Sequence, residues 1–360
     1  MFEKLTNFLD GFLDLGVPGY DCIVLHNGNC VYRHMNGYSN REAQIPVSGK
    51  ERYHIYSCTK PITCVAVLQL YEKGLIQLED ELSTFLPEFE TMYIKTDEGL
   101  KKAENSIRIK HLLSMTAGLS YDINREKIQQ IKEKTNGKCP TRAMMEWPAE
   151  APLLFEPGER FYYGLCHDVL AAVVEVVTGE RFSDYVKKNI FDPLGMTHST
   201  FHLSDDEMDS MAEQYVHNWQ EKTTKNCGKQ NEWEFGPDYD SGGGGCISTV
   251  EDMARFAEAL RIGDVILKSE TIDRMATNLL AEHQRKELWC ENYGYGLGVR
   301  CPKDETRTDF GWYGAAGAYL AVDRKNQISV YYAQHVLTNP NGGYLLEIIE
   351  LVKEALGCAG

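Results

Sequence analysis

No stretch of this chain approaches the roughly 20 apolar residues needed to cross a bilayer as a helix. A positive excess is also missing. Lys plus Arg number 37 against 53 Asp plus Glu, a formal net charge of −16. Such a surface repels nucleic acid and anionic lipid, so neither a nucleic-acid nor a membrane partner is expected. Cysteine is plentiful, at 11 residues, but the number is odd and no two form a C-x-x-C pair. That excludes the spacing of a disulfide framework or a zinc knuckle. Cys58, Cys64 and Cys166 fall in helical stretches and read as small buried apolar residues. There is no H-E-x-x-H and no G-x-S-x-G, which disfavours a zinc protease and an α/β-hydrolase. The four glycines at 242–245 lack a following Gly-Lys-Ser/Thr, so they read as a turn and not a phosphate loop. Internal repeats and low-complexity segments are absent. No metal and no cofactor is expected.

What is present is ordinary globular material: 360 residues, 43% apolar and 25% charged, enough for one large domain or two modest ones. Residues 1–16 read as an amphipathic helix with Phe2, Leu5, Phe8, Leu9, Phe12 and Leu13 on its apolar side. Glu3, Asp10 and Asp14 interrupt it, unlike a secretory signal, and a cytoplasmic location is expected. Residues 20–25 and 30–34 form two apolar runs around Asn27-Gly28-Asn29, a hairpin signal. Helical periodicity covers residues 59–71, with Gly74 as its stop, and residues 170–178, with Gly179 as its stop. Residues 74–244 read as mostly helical and loop-rich. Beyond Gly245, residues 293–301, 317–322 and 327–334 read as strands, and residues 344–356 as a closing amphipathic helix. The pattern predicts one sheet built from both ends of the chain, over residues 1–75 and 245–360. A mainly helical domain over 76–244 is inserted, with the active site between the two.

Chemistry enters at Ser57, the only serine with a lysine three positions later. On a helix that spacing puts the hydroxyl and the Lys60 amine on one face, about a turn apart. A hydroxyl needs a base to act as a nucleophile. An ordinary lysine amine has a pKa of about 10.4, so such a base works at neutral pH only where burial favours its uncharged form. Ser57 is placed at a helix start, where free N–H groups can bind an anion, and Pro61 is tolerable only near such an end. A nucleophile further needs a proton shuttle and oxyanion donors. The run from Gly158 to Asp168 holds tyrosines for the first, and the run from Phe310 to Gly317 holds backbone donors for the second.

These motifs resemble the serine β-lactamase and penicillin-binding-protein superfamily, in its class C-like branch, and most of all the family VIII carboxylesterases. His111-Leu112-Leu113-Ser114-Met115-Thr116-Ala117-Gly118-Leu119 is similar to the family's H-L-L-T-H-T-S-G-L. Phe155-Glu156-Pro157-Gly158, Pro193-Leu194-Gly195-Met196 and the glycine run leading to Cys246-Ile247-Ser248-Thr249 follow in family order. The resemblance implies an α+β, β-lactamase/transpeptidase-like fold. It also implies Ser57 as the acyl-forming nucleophile, Lys60 as its base and Tyr163 as the proton-shuttling tyrosine, with Tyr162 a rival by adjacency. Trp312-Tyr313-Gly314 stands where lactamases carry Lys-Thr-Gly and these esterases often carry Trp-Gly-Gly. By the same resemblance, the backbone N–H groups of Ser57 and Ala315 form the oxyanion hole. Tyr121, Trp312, Tyr313 and Gly314 are expected to contact substrate.

Three departures stand out. Gly164 replaces a small polar residue, Met115 replaces a histidine, and Trp312 replaces the lactamase lysine. An indole there favours uncharged esters or amides over penicillins and D-Ala peptides. His167 and Asp168 read as structural residues at a helix start, Asp168 facing its dipole. The expected activity is that of a serine hydrolase forming an acyl-enzyme on small carboxylic esters. A β-lactamase or D,D-peptidase, an amidase or acyltransferase, and a catalytically silent binding protein on the same fold are the alternatives. The expected partner is a small-molecule ester or amide, and nothing in the sequence specifies an oligomeric state.

Overall fold

Strands from the two ends of the chain lie side by side in one antiparallel sheet. The computed structural model describes residues 1–358. The amino-terminal strands are β1 (Gly19–His26), β2 (Asn29–Asn40) and β3 (Ile45–Pro46). The carboxy-terminal strands are β4 (Tyr293–Tyr295), β5 (Arg300–Pro302), β6 (Phe310–Tyr313), β7 (Tyr319–Asp323) and β8 (Ile328–Gln334). Their order is β4-β5-β6-β7-β8-β1-β2-β3, so the seam between the chain's two ends is the β8–β1 pair. In that pair Ile23 faces Tyr331, and the register continues through Leu320 to Trp312.

Side chains on a strand alternate between faces, and that register decides what each face buries. Ile23, Tyr331, Leu320 and Trp312 belong to one apolar core, whereas Cys22, Tyr332 and Tyr319 belong to another. The first core is shared with α2 (Thr59–Glu72), α3 (Cys166–Thr178) and α4 (Val250–Ile262). The second is covered by α1 (Glu3–Asp14) and α5 (Glu347–Leu356), through Leu5, Leu9, Phe12, Ile348, Ile349 and Val352. Helix α2 is buried along nearly its whole length, from Thr59 to Leu70. Such all-round burial belongs to a helix at the centre of a large core.

The structure departs from the sequence reading at several elements. Residues 293–301, read as one strand, form β4 and part of β5 with a turn at 296–299 between them. Strand β6, which carries the Trp312 motif, was not anticipated as a strand. The helical, loop-rich stretch 74–244 also contains two hairpins, Tyr93–Thr96 with Gly99–Lys102 and Gln214–Asn218 with Thr223–Gly228. Both are polar and short, without the apolar alternation that marks a strand. Among the described residues, no helix is long and apolar enough to cross a membrane.

Candidate active site

Ser57 sits in a single 3-10 turn, Tyr56–Cys58, that runs directly into α2. The residue before it, Tyr56, holds φ at +46°, a left-handed conformation rare for a bulky side chain. Such strain persists only where the surroundings fix it. Here the Tyr56 hydroxyl donates to Gln214 Oε1 at 2.6 Å, anchoring the turn from behind. Ser57 itself is half-buried at the floor of a cleft.

One turn along, Lys60 is completely buried. Its amine donates to Ser57 Oγ at 3.1 Å and to the Gly243 carbonyl at 2.5 Å. It lies 4.7 Å from the centre of the Tyr163 ring and 5.8 Å from that of Tyr121. No carboxylate pairs with it among the described residues. The amine is thus held by a hydroxyl, a carbonyl and two aromatic faces.

The glycine run is the second support. Thr63 Oγ1 donates to the Gly242 carbonyl at 2.7 Å, and the Cys246 N–H donates to Thr59 Oγ1 at 3.1 Å. From the other side Asp168, in the first turn of α3, accepts from Ser241 Oγ at 2.6 Å, Tyr239 at 2.9 Å and the Gly243 N–H at 3.3 Å. A Cβ on Gly243 would stand 2.3 Å from Asp168 Oδ2, so only glycine allows this approach. Asp168 therefore sets the position of the carbonyl that Lys60 grips. His167, fully buried, turns Nε2 to Cys64 Sγ at 3.1 Å and lies with the core.

Tyr163 lines the same cleft as Ser57. Its phenol oxygen accepts a hydrogen bond from the indole N–H of Trp312 at 2.9 Å. Because the indole only donates, that bond leaves the phenol's own proton free to point elsewhere. Trp312 is fully buried on the inner face of β6, and Tyr313 stacks on it at 4.9 Å. Gly164 finds its explanation in packing. A Cβ there would lie 1.9 Å from the Leu119 carbonyl, so the stretch ending the H-L-L motif admits no side chain at 164. Met115 sits fully buried at φ +57° and takes the Tyr162 N–H on its carbonyl at 2.9 Å, which holds the tyrosine loop against that stretch.

The cleft holds about 470 Å³. Around Ser57 it is walled by Tyr163, Trp289, Trp312, Tyr313, Leu345 and Leu346, and no charged side chain lines it. Gly314 and Ala315 form one edge, and the Ala315 N–H has no hydrogen-bond partner among the described residues. Tyr121 is set back from the wall, its ring packed against Tyr163 and Trp233 at 5.7 and 5.2 Å. Trp289, Cys290, Asn339, Leu345 and Leu346 line the cleft without having been singled out in the sequence. An isolated Trp-Cys pair in a polar loop and two leucines after Gly342-Gly343 were the only signals available.

A family model described as beta-lactamase matches residues 5–352. The chain belongs to the beta-lactamase family. Among curated relatives, Rv1367c of Mycobacterium tuberculosis is 26% identical over 330 residues, covering 83% of this chain and 81% of that protein. Protein flp of Staphylococcus aureus is 30% identical over 202 residues, 55% of this chain but only 38% of that longer protein. Among solved structures, EstCE1, a hydrolase with promiscuous acyltransferase activity, aligns with a TM-score of 0.80 at 24% identity, over 100% of this chain and 99% of its own. The simvastatin synthase LovD of Aspergillus terreus aligns at 0.80 and 23% identity, over 99% and 98%. A penicillin-binding-protein homologue of Pyrococcus abyssi aligns at 0.75 and 22%, over 98% of this chain and 77% of its own. At these identities the structural neighbours establish the fold, which is β-lactamase/transpeptidase-like with mixed α and β content.

Proposed function

We propose that this protein is a serine esterase that acts through an acyl-enzyme on small, uncharged carboxylic esters. The observation that carries the reading is the fully buried Lys60 amine, 3.1 Å from Ser57 Oγ and without a carboxylate partner. In its neutral form that amine takes the serine proton as Oγ attacks the ester carbonyl. Tyr163, its oxygen held by Trp312, passes its proton to the departing alkoxide and recovers one from the Lys60 ammonium, which returns that amine to its neutral form. The N–H groups of Ser57 and Ala315 receive the oxyanion. Water then repeats the attack on the acyl-serine and releases the acid.

The aromatic and leucine walls, with no charge among them, favour an uncharged acyl group. A carboxylate-bearing penicillin or D-Ala peptide would enter without the cation that lactamases offer at the position of Trp312. Exposure of the folded protein to p-nitrophenyl butyrate is expected to give a burst of nitrophenol and one butyryl adduct, located on Ser57 by peptide mass spectrometry. A folded protein that takes neither butyryl nor fluorophosphonate at Ser57 would be a silent binding protein on this fold. Nitrocefin turnover faster than ester turnover would return the β-lactamase reading. Trp312→Phe keeps the ring but removes the donor to Tyr163, and one such bond contributes about 1–1.5 kcal/mol. Its kcat is expected to fall about tenfold with KM little changed, as read by steady-state ester kinetics.

A further inference from the structure

The turn that carries Ala315 joins β6 to β7, and its inner bonds are few. The Gly314 N–H donates to the Ala318 carbonyl at 2.8 Å, and the Gly317 N–H to the Gly314 carbonyl at 2.9 Å. Two further hydrogen bonds reach the turn from the segment following β8. The Val336 N–H donates to the Ala316 carbonyl at 3.0 Å, and Asn339 Nδ2 donates to the Ala315 carbonyl at 3.2 Å. Among the described residues, Asn339 is thus the one side chain bonded to the residue whose N–H stands free at the cleft.

Its placement is not cheap. Thr338, just before it, holds φ at +50° and ties its hydroxyl to the His217 carbonyl at 2.6 Å. The other end of the carboxamide, Oδ1, is buried against Gly342 with no partner among the described residues. A buried unmatched acceptor costs free energy that an apolar side chain of the same size would avoid. The orientation of the amide is fixed by the Ala315 bond, since the reversed rotamer would set oxygen against oxygen. The retained function of the group is therefore its donor.

We infer that Asn339 is a positioning residue for the oxyanion hole. It pins the carbonyl of Ala315 so that the N–H of the same residue faces the developing charge at Ser57. It touches neither nucleophile nor proton shuttle and acts through Ala315. This rests on the esterase reading above and adds a residue that no motif marks.

The test compares wild type with Asn339→Ala and Asn339→Asp, the second matching the amide in size but presenting no donor to the carbonyl. With p-nitrophenyl butyrate, both variants are expected to lose about tenfold in kcat with KM within twofold, a fraction of the 10²–10³-fold that removing one oxyanion donor costs. Affinity for a trifluoromethyl ketone that forms a tetrahedral adduct on Ser57 is expected to fall in parallel. A raised KM at unchanged kcat would make Asn339 a substrate contact and overturn the inference. So would a lowered melting temperature with unchanged kcat and ketone affinity, or an Asp variant equal to wild type. If wild type itself forms no adduct on Ser57, the esterase reading fails. If it does and the variants match it, only the role of Asn339 falls.

Discussion

Ser57→Ala is expected to leave less than about one part in a thousand of the ester turnover, a loss of at least ~4 kcal/mol of transition-state stabilisation. Lys60→Met is expected to come close to it. Methionine fills much of the same buried space without an amine, so Ser57 Oγ loses the group 3.1 Å away and keeps no other base in bonding distance among the described residues. The two losses should not add, because each removes the same proton transfer; the double variant is expected to match Ser57→Ala. The measurement is the burst amplitude and kcat/KM with p-nitrophenyl butyrate, beside the thermal midpoint of each variant. A folded Ser57→Ala protein that turns ester over at the wild-type rate would remove Ser57 from the reaction. A Lys60→Met protein with a full burst would move the base to Tyr163.

The geometry of the candidate site was legible where it is local. Ser57 and Lys60 share one helical face by spacing alone, and the bond between them follows from that spacing. Asp168 belongs to the same class: a carboxylate in a helix's first turn is expected from the dipole. What the spacing could not say is that this carboxylate would also collect Ser241, Tyr239 and the Gly243 N–H. Those partners lie about 70 residues away, and only the folding of residues 239–243 against both α2 and α3 brings them in. Trp312 shows the same limit. Its motif was visible, but its partner, the Tyr163 oxygen, depends on which face of β6 the indole takes. The register through Leu320 and Tyr331 sets that face, and register is a property of the assembled sheet.

The elements that escaped notice are those whose stability comes from elsewhere. Strand β6 is four residues long with a glycine at its second position, a weak strand by propensity. It forms because β5 and β7 lie on either side of it. Asn339, Leu345 and Leu346 reach the cleft because the chain must pass its mouth between β8 and α5. Trp289 is 53% exposed, yet it packs edge-on to Tyr163 at 5.4 Å. A lone tryptophan in a polar loop carries no signal of such a contact.

The second large effect concerns acid. His54, His167 and His335 are buried, and burial depresses all three imidazoles, His335 to about 3. His54 Nε2 meets the Lys229 carbonyl at 2.8 Å and His335 Nδ1 the Ala212 carbonyl at 3.0 Å. Each neutral ring therefore donates its single proton to a carbonyl, and the other nitrogens are left without partners. The two rings lie 5.6 Å apart, so a charge on either would face the other. In the unfolded chain these imidazoles titrate near about 6.5. Below that pH the unfolded state binds protons that the folded state refuses, so stability falls as pH falls, by up to about 1.4 kcal/mol per pH unit for each group. Their stabilisation is complete above about 6.5 and is lost downward toward the folded values. Glu175 opposes them: burial raises it to about 7, so its neutral folded form gains as pH falls from there toward the ordinary carboxyl range. His111, which burial lowers to about 4, joins the three, so the depressed imidazoles outnumber the raised carboxyls Glu175, Asp21 and Glu234, and each unmatched one contributes up to about 1.4 kcal/mol per pH unit. Against a total stability of about 5–15 kcal/mol, the protein is expected to lose part of its stability as pH falls from 6.5 to 5. Urea midpoints measured at pH 7.5, 6.0 and 5.0 read this directly. His335→Gln, which still offers a donor to the Ala212 carbonyl but cannot take a proton, is expected to flatten the slope by about one proton. A wild-type midpoint that does not move over this range would mean that the buried imidazoles find acceptors for their second protons in the folded state.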